Sequence, residues 1–231
     1  MVDFVANLID QFVEHYPELM RGYRATILLT IVSFALAMAL GAIVALLRTS
    51  EFRALKVVSG AYVEFFRNTP LLMQLVFLFF GLPKLSLPGI GRPDWFLLSP
   101  WAAAIIGLSL YTGSYTAEAL RSGLLSVDKG QTEAARSLGL SYLQTRRFVV
   151  VPQAVRIAVP LLTSILSALF RNSALVSAIG VTELLQTADN IQQQNFQTFP
   201  LFAIAGIMYL SLTLPLAWAS ARLEKRLTVA R

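Results

Sequence analysis

Several residue types and patterns that support chemistry are missing from this sequence. It has no cysteine, so disulfides, thiolate catalysis and cysteine-based metal sites are excluded. Its one histidine, His15, lies in a polar N-terminal stretch, where a solvated side chain is more usual than a metal ligand. Neither a Walker A pattern nor an H-E-x-x-H pattern occurs. We therefore predict that the chain is not an enzyme, does not hydrolyse ATP itself and binds no metal or other cofactor.

Charged residues are scarce, at 14% of the chain against about 25% in an average soluble domain. The shortage takes the form of long runs with no charge at all, at residues 25–47, 95–117 and 199–221. Each run exceeds the roughly 20 residues that a helix needs to cross a ~30 Å hydrocarbon layer at ~1.5 Å per residue. Backbone in lipid must satisfy its own hydrogen bonds, so helices are expected. The sequence predicts an all-α integral membrane protein.

Two further segments are long enough to cross but carry a few charges, which brings the predicted number of transmembrane helices to five. These spans are residues 24–48, 54–82, 96–120, 154–176 and 199–222. They leave no room for a separate soluble domain. We divide the chain into an N-terminal periplasmic or interfacial segment, 1–21, and a transmembrane domain, 22–231. The first segment mixes apolar and acidic residues, as a helix at a membrane surface does, and lacks the pattern of a removable signal peptide.

The basic residues predict the orientation, because cytoplasmic loops carry an excess of Lys and Arg. With the N-terminus outside and the C-terminus inside, 13 of the 19 basic residues fall on the cytoplasmic side and four outside. This places residues 121–156 in the cytoplasm. The net charge of +6 is then explained by membrane topology and needs no nucleic-acid partner. The predicted location is a bacterial cytoplasmic (inner) membrane, with lipid around the spans.

The cytoplasmic segment contains a charged, helix-prone stretch, EAARSLGLSYLQTRRFVVVPQAVR. We predict a helix over about 131–148 that begins near Thr132. Gly139 inside it would cost about 1 kcal/mol relative to alanine, which indicates a sharp bend or close approach by another backbone. Composition alone leaves two interpretations open. The helix is either a basic loop helix at the interface or a docking surface for a partner.

Polar residues inside the predicted spans are candidates for a solute path, because charge at membrane depth is costly. In the second span, Glu64 and Arg67 are three residues apart and could pair. Pro70 would kink the helix, and Gln74 would continue the polar stripe. This pair could be structural, contact a passing solute or serve in gating. The remaining candidates lie on the third and fourth spans: Tyr115, Glu118, Arg171 and Ser173. Arg171 suits carboxylate recognition, or it snorkels at the outer interface.

An ordered set of short motifs resembles one known family. It includes Arg67–Asn68–Thr69–Pro70–Leu71–Leu72, Tyr115 with Ala117–Glu118, Gly130–Gln131, Glu133–Ala134–Ala135, Gly139, Val151–Pro152–Gln153–Ala154, and Ile179–Gly180–Val181 with Glu183–Leu184. This set is similar to the EAA-motif permeases of binding-protein-dependent ABC importers, in particular those for polar amino acids. The match covers about residues 22 to 226. The chain departs from the family at Ser164, where Asn is frequent, and at Arg171, where Lys is usual, which is compatible with one half of a heterodimer.

The resemblance implies an ABC type I importer permease fold and a division of labour among subunits. The EAA helix would be a coupling helix, with Glu133, Ala134, Ala135 and Gly139 contacting a separate ATPase subunit. Two ATPase subunits would use ATP and Mg, a second permease subunit (the same chain or a homologue) would complete the path, and an extracytoplasmic solute-binding protein would deliver the ligand. The implied substrates are polar amino acids, such as glutamate, glutamine, histidine or arginine.

Two other classes of membrane protein compete with this interpretation. An ion-coupled secondary amino acid transporter would usually show internal repeats about a midplane site, and we find no convincing repeat. A membrane enzyme would need a catalytic constellation, and the sequence offers none. Uptake that needs ATP and a binding protein, and that survives an uncoupler, separates the importer from the ion-coupled transporter.

Overall fold

The computed structural model describes residues 2–85 and 97–228, and side chains from residue 5 to residue 225. The described residues form helices and loops without a strand, which confirms the all-α prediction. The helices are α1 (Val2–Glu14), α2 (Tyr16–Arg48), α3 (Arg53–Asn68), α4 (Leu71–Val76), α5 (Pro100–Leu125), α6 (Lys129–Ser137), α7 (Tyr142–Thr145), α8 (Val151–Asn172), α9 (Leu184–Asn195) and α10 (Thr198–Thr228). Short π-helical turns at Phe77–Gly81 and Arg146–Val150 and a 3-10 helix at Ser173–Ile179 extend α4, α7 and α8.

Within the described residues, three helical stretches are long and apolar enough to cross a membrane, namely Tyr16–Arg48, Tyr142–Ile179 and Thr198–Lys225. The bent pair Arg53–Asn68 and Leu71–Lys84 makes a fourth if it counts as one span. The predicted third span, α5, is about 39 Å long at 1.5 Å per residue. It is less apolar because its packed faces carry Ser, Thr and Gly. The count of five spans is therefore not established by length and composition.

The second predicted span is broken rather than continuous. The sequence predicts a kink at Pro70, and the helix axis bends by 106° between the helical stretches on either side of it. Thr69 and Pro70 are both extended, because proline lacks an N–H and forces the residue before it out of the helical region. Gln74 secures the break. Its Nε2 donates to the carbonyl oxygens of Phe66 and Thr69, each at 3.1 Å.

Helix α5 lies at the centre of the bundle and packs against α2, α3, α4 and α8. Its buried residues are small, so neighbouring helices approach closely. At the α2 contact, a Cβ added to Gly41 would lie 2.6 Å from the Cγ2 of Thr116, which leaves room only for glycine. Helix α5 begins one residue after Ser99, whose hydroxyl accepts the N–H of Ala102 at 3.2 Å, with Pro100 at the first helical position.

The end of the bundle that carries the N-terminus has its own core. Here α1 and the start of α2 pack against α9 and α10. Leu8 and Phe12 of α1 rest on the fully buried Leu19, Leu184 and Leu201. Polar contacts add to this, since the Nδ2 of Asn195 donates to the Oε1 of Gln11 at 2.8 Å. The N-terminal segment is therefore a helix packed on the bundle rather than a loose extension.

Candidate functional site

The charged insert between α5 and α8 is shorter and more sharply turned than the sequence suggests. The predicted single helix over 131–148 is wrong, because α6 ends at Ser137 and α7 begins at Tyr142. Helix α6 also begins earlier than Thr132, at Lys129. Asp128 caps it, and the Oδ1 of Asp128 accepts the N–H of Gly130 at 2.6 Å. The insert is thus two short helices joined by a tight turn.

Gly139 makes that turn. Its φ is +86°, in the left-handed region that glycine adopts at no steric cost. The Leu140 N–H donates to the Ala135 carbonyl at 3.2 Å and the Gly139 N–H to the Arg136 carbonyl at 3.0 Å, the pair of bonds that closes a helix C-terminus. No atom lies within 4 Å of a Cβ built on Gly139. Of the two reasons that the sequence allows for this glycine, the sharp bend is confirmed, and no described part of the chain approaches it closely.

The insert exposes apolar side chains on both sides of this turn. Leu138 is 82% exposed and Leu143 is 74% exposed. Glu133 and Ala134 are also exposed, whereas Ala135 is buried and packs toward the protein. We call Glu133, Ala134, Leu138 and Leu143 the insert surface. Two leucines this exposed, beside charged residues, are typical of a protein interaction site.

A group of charged and aromatic side chains lies where α2, α3 and α5 come together. The carboxylate of Glu118 pairs with the guanidinium groups of Arg48, the last residue of α2, and of Arg121, one turn further along α5. The Arg67 guanidinium lies 5.2 Å from the centre of the Tyr115 ring, a cation–π contact. Arg67 is exposed and makes no ion pair within the described part of the chain.

Three of these side chains, Arg67, Tyr115 and Glu118, border an open cleft of about 430 Å³. Its polar lining is Arg67, Tyr115, Glu118, Ser122 and Ser164, and apolar residues of α5 and α8 complete it. Ser164 reaches α10, because its hydroxyl lies 3.1 Å from the hydroxyl of Ser220. Such a cleft fits a small polar solute, with a cation and a carboxylate on its wall.

The cleft contains three of the seven residues predicted to line the path, namely Arg67, Tyr115 and Glu118. The predicted pairing of Glu64 with Arg67 is wrong. Glu64 instead accepts a hydrogen bond from Asn68 Nδ2 at 2.9 Å, while Arg67 turns to the Tyr115 ring. The predicted polar stripe through Gln74 is also wrong. The helix axis changes direction by 106° at Pro70, and Gln74 is buried there with its amide bonded to the carbonyl oxygens of Phe66 and Thr69.

Arg171 and Ser173 lie outside the cleft. Arg171 is exposed and donates to the Ser167 hydroxyl at 3.1 Å, one turn back on its own helix. Ser173 is fully buried and donates to the Phe170 carbonyl at 2.7 Å. Both side chains therefore bind their own chain locally.

Sequence reasoning did not name Arg48, Arg121 or Ser122 as site residues, whereas it noted Ser164 as a departure from the family. Arg48 and Arg121 are among the 13 basic residues counted on the cytoplasmic side. The spacing of Glu118 and Arg121, three residues apart on a predicted helix, could have indicated their pairing. No local pattern could have shown that Arg48 reaches the same carboxylate, because that contact depends on how α2 packs against α5. The described residues contain no group of three or more His, Asp or Glu side chains that could hold a metal ion.

Comparisons with known proteins agree with this architecture. Residues 25–229 match the family described as binding-protein-dependent transport system inner membrane component. The chain is 36% identical to the probable glutamine ABC transporter permease protein GlnM of Bacillus subtilis, over 96% of this chain and 97% of that protein. It is 39% identical to the glutamate transport system permease protein GluC of Corynebacterium glutamicum, over 93% and 96% respectively.

Solved structures give the same result. A chain from a crystal structure of an amino acid ABC transporter with histidines superposes with a TM-score of 0.83 at 30% identity, covering 94% of this chain and 97% of that one. A chain of the MetNI methionine ABC transporter in an inward-facing conformation superposes with a TM-score of 0.76, covering 93% and 98%. At 22% identity, the second comparison shows a common fold.

Proposed function

The chain belongs to the family of inner membrane components of binding-protein-dependent transport systems, and from that membership we propose that it is the permease subunit of an ATP-driven importer of polar amino acids. Relatives named as glutamine and glutamate permeases, similar over nearly their full length, support the substrate class. The family implies an ATPase and a solute-binding protein as partners. The proposed assembly has two ATPase subunits, which bind ATP and Mg, and a second permease subunit.

The observation that carries this proposal is the insert surface. Leu138 and Leu143 are among the most exposed large apolar side chains described. They flank a turn that Gly139 fixes. Burying a leucine side chain fully is favourable by about 1.5–3 kcal/mol of free energy relative to leaving it in water. A partner that covers both leucines would therefore be bound more tightly. A separate ATPase subunit on the cytoplasmic side is the partner that the family supplies.

The geometry revises which residues would meet that partner. Glu133 and Ala134 of the EAA motif are exposed and available for contact. Ala135 is buried where α6 packs against α7 and the π-helical turn at Arg146–Val150, and Gly139 shapes the tight turn after α6. Leu138 and Leu143, which the motif does not include, supply the apolar contact. Closure of two ATPase subunits on ATP would draw the inserts together and favour the outward-open arrangement of the spans, which is a population shift between two states.

The cleft is the proposed solute path on this subunit. Arg67 carries a positive charge without a carboxylate partner in the described structure, and it would receive the carboxylate of an amino acid. The cleft is open on one side in a single chain, which fits a path completed by a second permease subunit. The proposed topology has five spans, with α5 as the central one, the N-terminus outside and the insert in the cytoplasm. That orientation rests on the distribution of basic residues.

The test is reconstitution with the ATPase and solute-binding proteins encoded next to this chain. We expect the ATPase subunit to co-purify with it, and vesicle uptake of a polar amino acid to need ATP and the binding protein. Uptake should persist when an uncoupler removes ion gradients. Uptake by the chain alone, abolished by the uncoupler, would instead favour an ion-coupled secondary transporter and overturn the proposal.

A further inference from the structure

A fully buried carboxylate lies at the opposite end of the bundle from the insert. Glu183 is 0% exposed, and no Lys, Arg or His side chain pairs with it in the described part of the chain. Burying a carboxylate without a cation is costly, so its hydrogen bonds must compensate. The Oε1 of Glu183 accepts the N–H of Gln186 at 2.9 Å, which caps α9. Its Oε2 accepts from the Thr26 hydroxyl at 3.1 Å and from the Tyr209 hydroxyl.

These bonds join three separate parts of the chain at one point. Thr26 belongs to α2, Tyr209 to α10, and Glu183 to the start of α9. Thr26 adds a second connection, because its hydroxyl also accepts the N–H of Leu184 at 3.1 Å. The bonds hold α9, and the segment that leads into it, against two long helices. None of these bonds involves a residue of the cleft or of the insert.

The segment before Glu183 is irregular and deeply buried. Residues 173–182, which we call the return segment, form a 3-10 helix and then turn at Gly180, whose φ is +79°. Val176, Ile179 and Val181 of this segment share one buried apolar cluster with Leu71 and Leu75 of α4, and the 3-10 helix contacts α4 directly. Helix α4 follows the break at Pro70, so two interrupted segments meet in one apolar contact. In membrane proteins, irregular backbone at membrane depth occurs where protein buries it or where it lines a path.

An open cavity of about 460 Å³ borders the return segment at Thr182, and its lining also includes Glu18, Arg21 and Asn190. Exposure alternates along this stretch. Ala178, Gly180 and Thr182 are exposed, whereas Ile179, Val181 and Glu183 are buried. Glu183 is anchored on both carboxylate oxygens. A change in its hydrogen bonds would therefore loosen the buried side of this stretch, which includes Val181.

We propose that Glu183 is a positioning residue that keeps the return segment closed against α4 as an outer gate. This inference rests on the proposed function for the direction of opening. Thr26 and Tyr209 are the partners through which Glu183 acts, and α4 is the surface that the gate closes against. During transport the contact between the return segment and α4 opens toward the cavity, and the solute passes through it.

The absence of cysteine makes a direct test simple. Single substitutions V181C and T182C are introduced in the full chain, assembled with its ATPase subunits in vesicles. A membrane-impermeant maleimide is applied from the side of the N-terminus. We expect T182C to react quickly and V181C to be protected. Adding E183A should raise the V181C reaction rate tenfold or more, Y209F should raise it less, and E183Q, which keeps one acceptor for Gln186, should fall between E183A and the parent.

Two controls separate positioning from general loosening. A158C, labelled with a membrane-permeant maleimide, reports on the α5–α8 contact, where Ala158 is 0% exposed, and it should stay protected in every variant. Y23F removes the bond between Tyr23 and Ser211, 2.9 Å apart, which also joins α2 to α10 but does not involve Glu183, and should leave V181C protected. Unchanged V181C labelling in E183A, or A158C labelling that rises in parallel, would overturn the positioning role.

The same assay distinguishes this inference from the proposed function. In the parent with V181C, ATP and the binding protein together should raise labelling if the chain is an ATP-driven importer. If they do not, while E183A still raises it, the importer mechanism fails and the positioning role of Glu183 stands.

Discussion

Arg48 at the end of α2 forms an ion pair with Glu118 of α5, 70 residues away in the sequence. The same carboxylate also binds Arg121. All three side chains are partly buried, so the pairing is less screened than at an open surface. This contact fixes the end of α2 against the central helix, beside the cleft.

The first prediction concerns this ion pair. R48A and E118A should each lower the free energy of unfolding, because R48A removes one of the two cations that bind Glu118 and E118A leaves both Arg48 and Arg121 without their carboxylate. The coupling energy from the double-mutant cycle should be about 1 kcal/mol, measured by thermal unfolding in detergent. Strictly additive effects of the two substitutions would show that the pair contributes nothing.

The second prediction concerns Gly139. Its positive φ disfavours every other residue, and β-branched residues most. G139V should therefore destabilise the turn by about 2 kcal/mol and reduce ATPase-subunit binding, whereas G139N, which tolerates this conformation, should largely retain it. Co-purification with the ATPase subunit measures the difference. If the ATPase subunit packed directly against Gly139, any side chain there would block it, and G139N would lose ATPase-subunit binding as completely as G139V.

The third prediction concerns the insert surface. L138D and L143D place charge on side chains that are exposed in the single chain, so folding and membrane insertion should be unaffected. Both variants should lower ATPase-subunit binding tenfold or more, because an interface cannot readily bury an unpaired charge. L125D is the matched control, since Leu125 is also exposed, at 65%, but lies outside the insert surface. Equal loss in all three variants would argue against a local docking site.

The fourth prediction compares two arginines. R67M should reduce uptake at least tenfold, because it removes the unpaired cation of the cleft, and R67K should recover part of it. R171M should have a smaller effect, since Arg171 bonds only to Ser167 of its own helix among the described residues. The measurement is vesicle uptake across a range of substrate concentrations. A larger effect at Arg171 than at Arg67 would contradict the proposed path along the cleft.

The sequence predicted the class of the fold well, for a simple physical reason. Uncharged runs longer than 20 residues have few alternatives to helices that cross a membrane. Pro70 likewise predicted a kink in the helix of the second span. The size of the bend was not predictable, because it depends on where Leu71 and Leu75 find a buried contact. The turn at Gly139 was one of two stated alternatives, and only the backbone angle distinguished them.

The site was harder to predict than the fold. Arg67 and Arg171 look equivalent in the sequence, since each is a cation inside a predicted span. Their different surroundings come from the rotation of each helix about its axis, which is set by packing between helices. Arg48 was read as an ordinary loop charge for the same reason. The family resemblance supported a function for the chain, but the grouping of side chains became visible only in three dimensions.

The insert is connected to its two neighbouring helices in different ways. From Tyr142 to Ile179 the chain is one uninterrupted helical stretch of 38 residues, on the order of 55 Å long. Its π-helical turn at Arg146–Val150 continues into α8 without a loop. On the other side, only Ser126, Val127 and Asp128 separate α5 from α6, and these are not helical. A displacement of the insert is therefore absorbed at this short joint on the α5 side and passed on through α8 on the other side. The return segment, which begins where α8 ends, is expected to move with it.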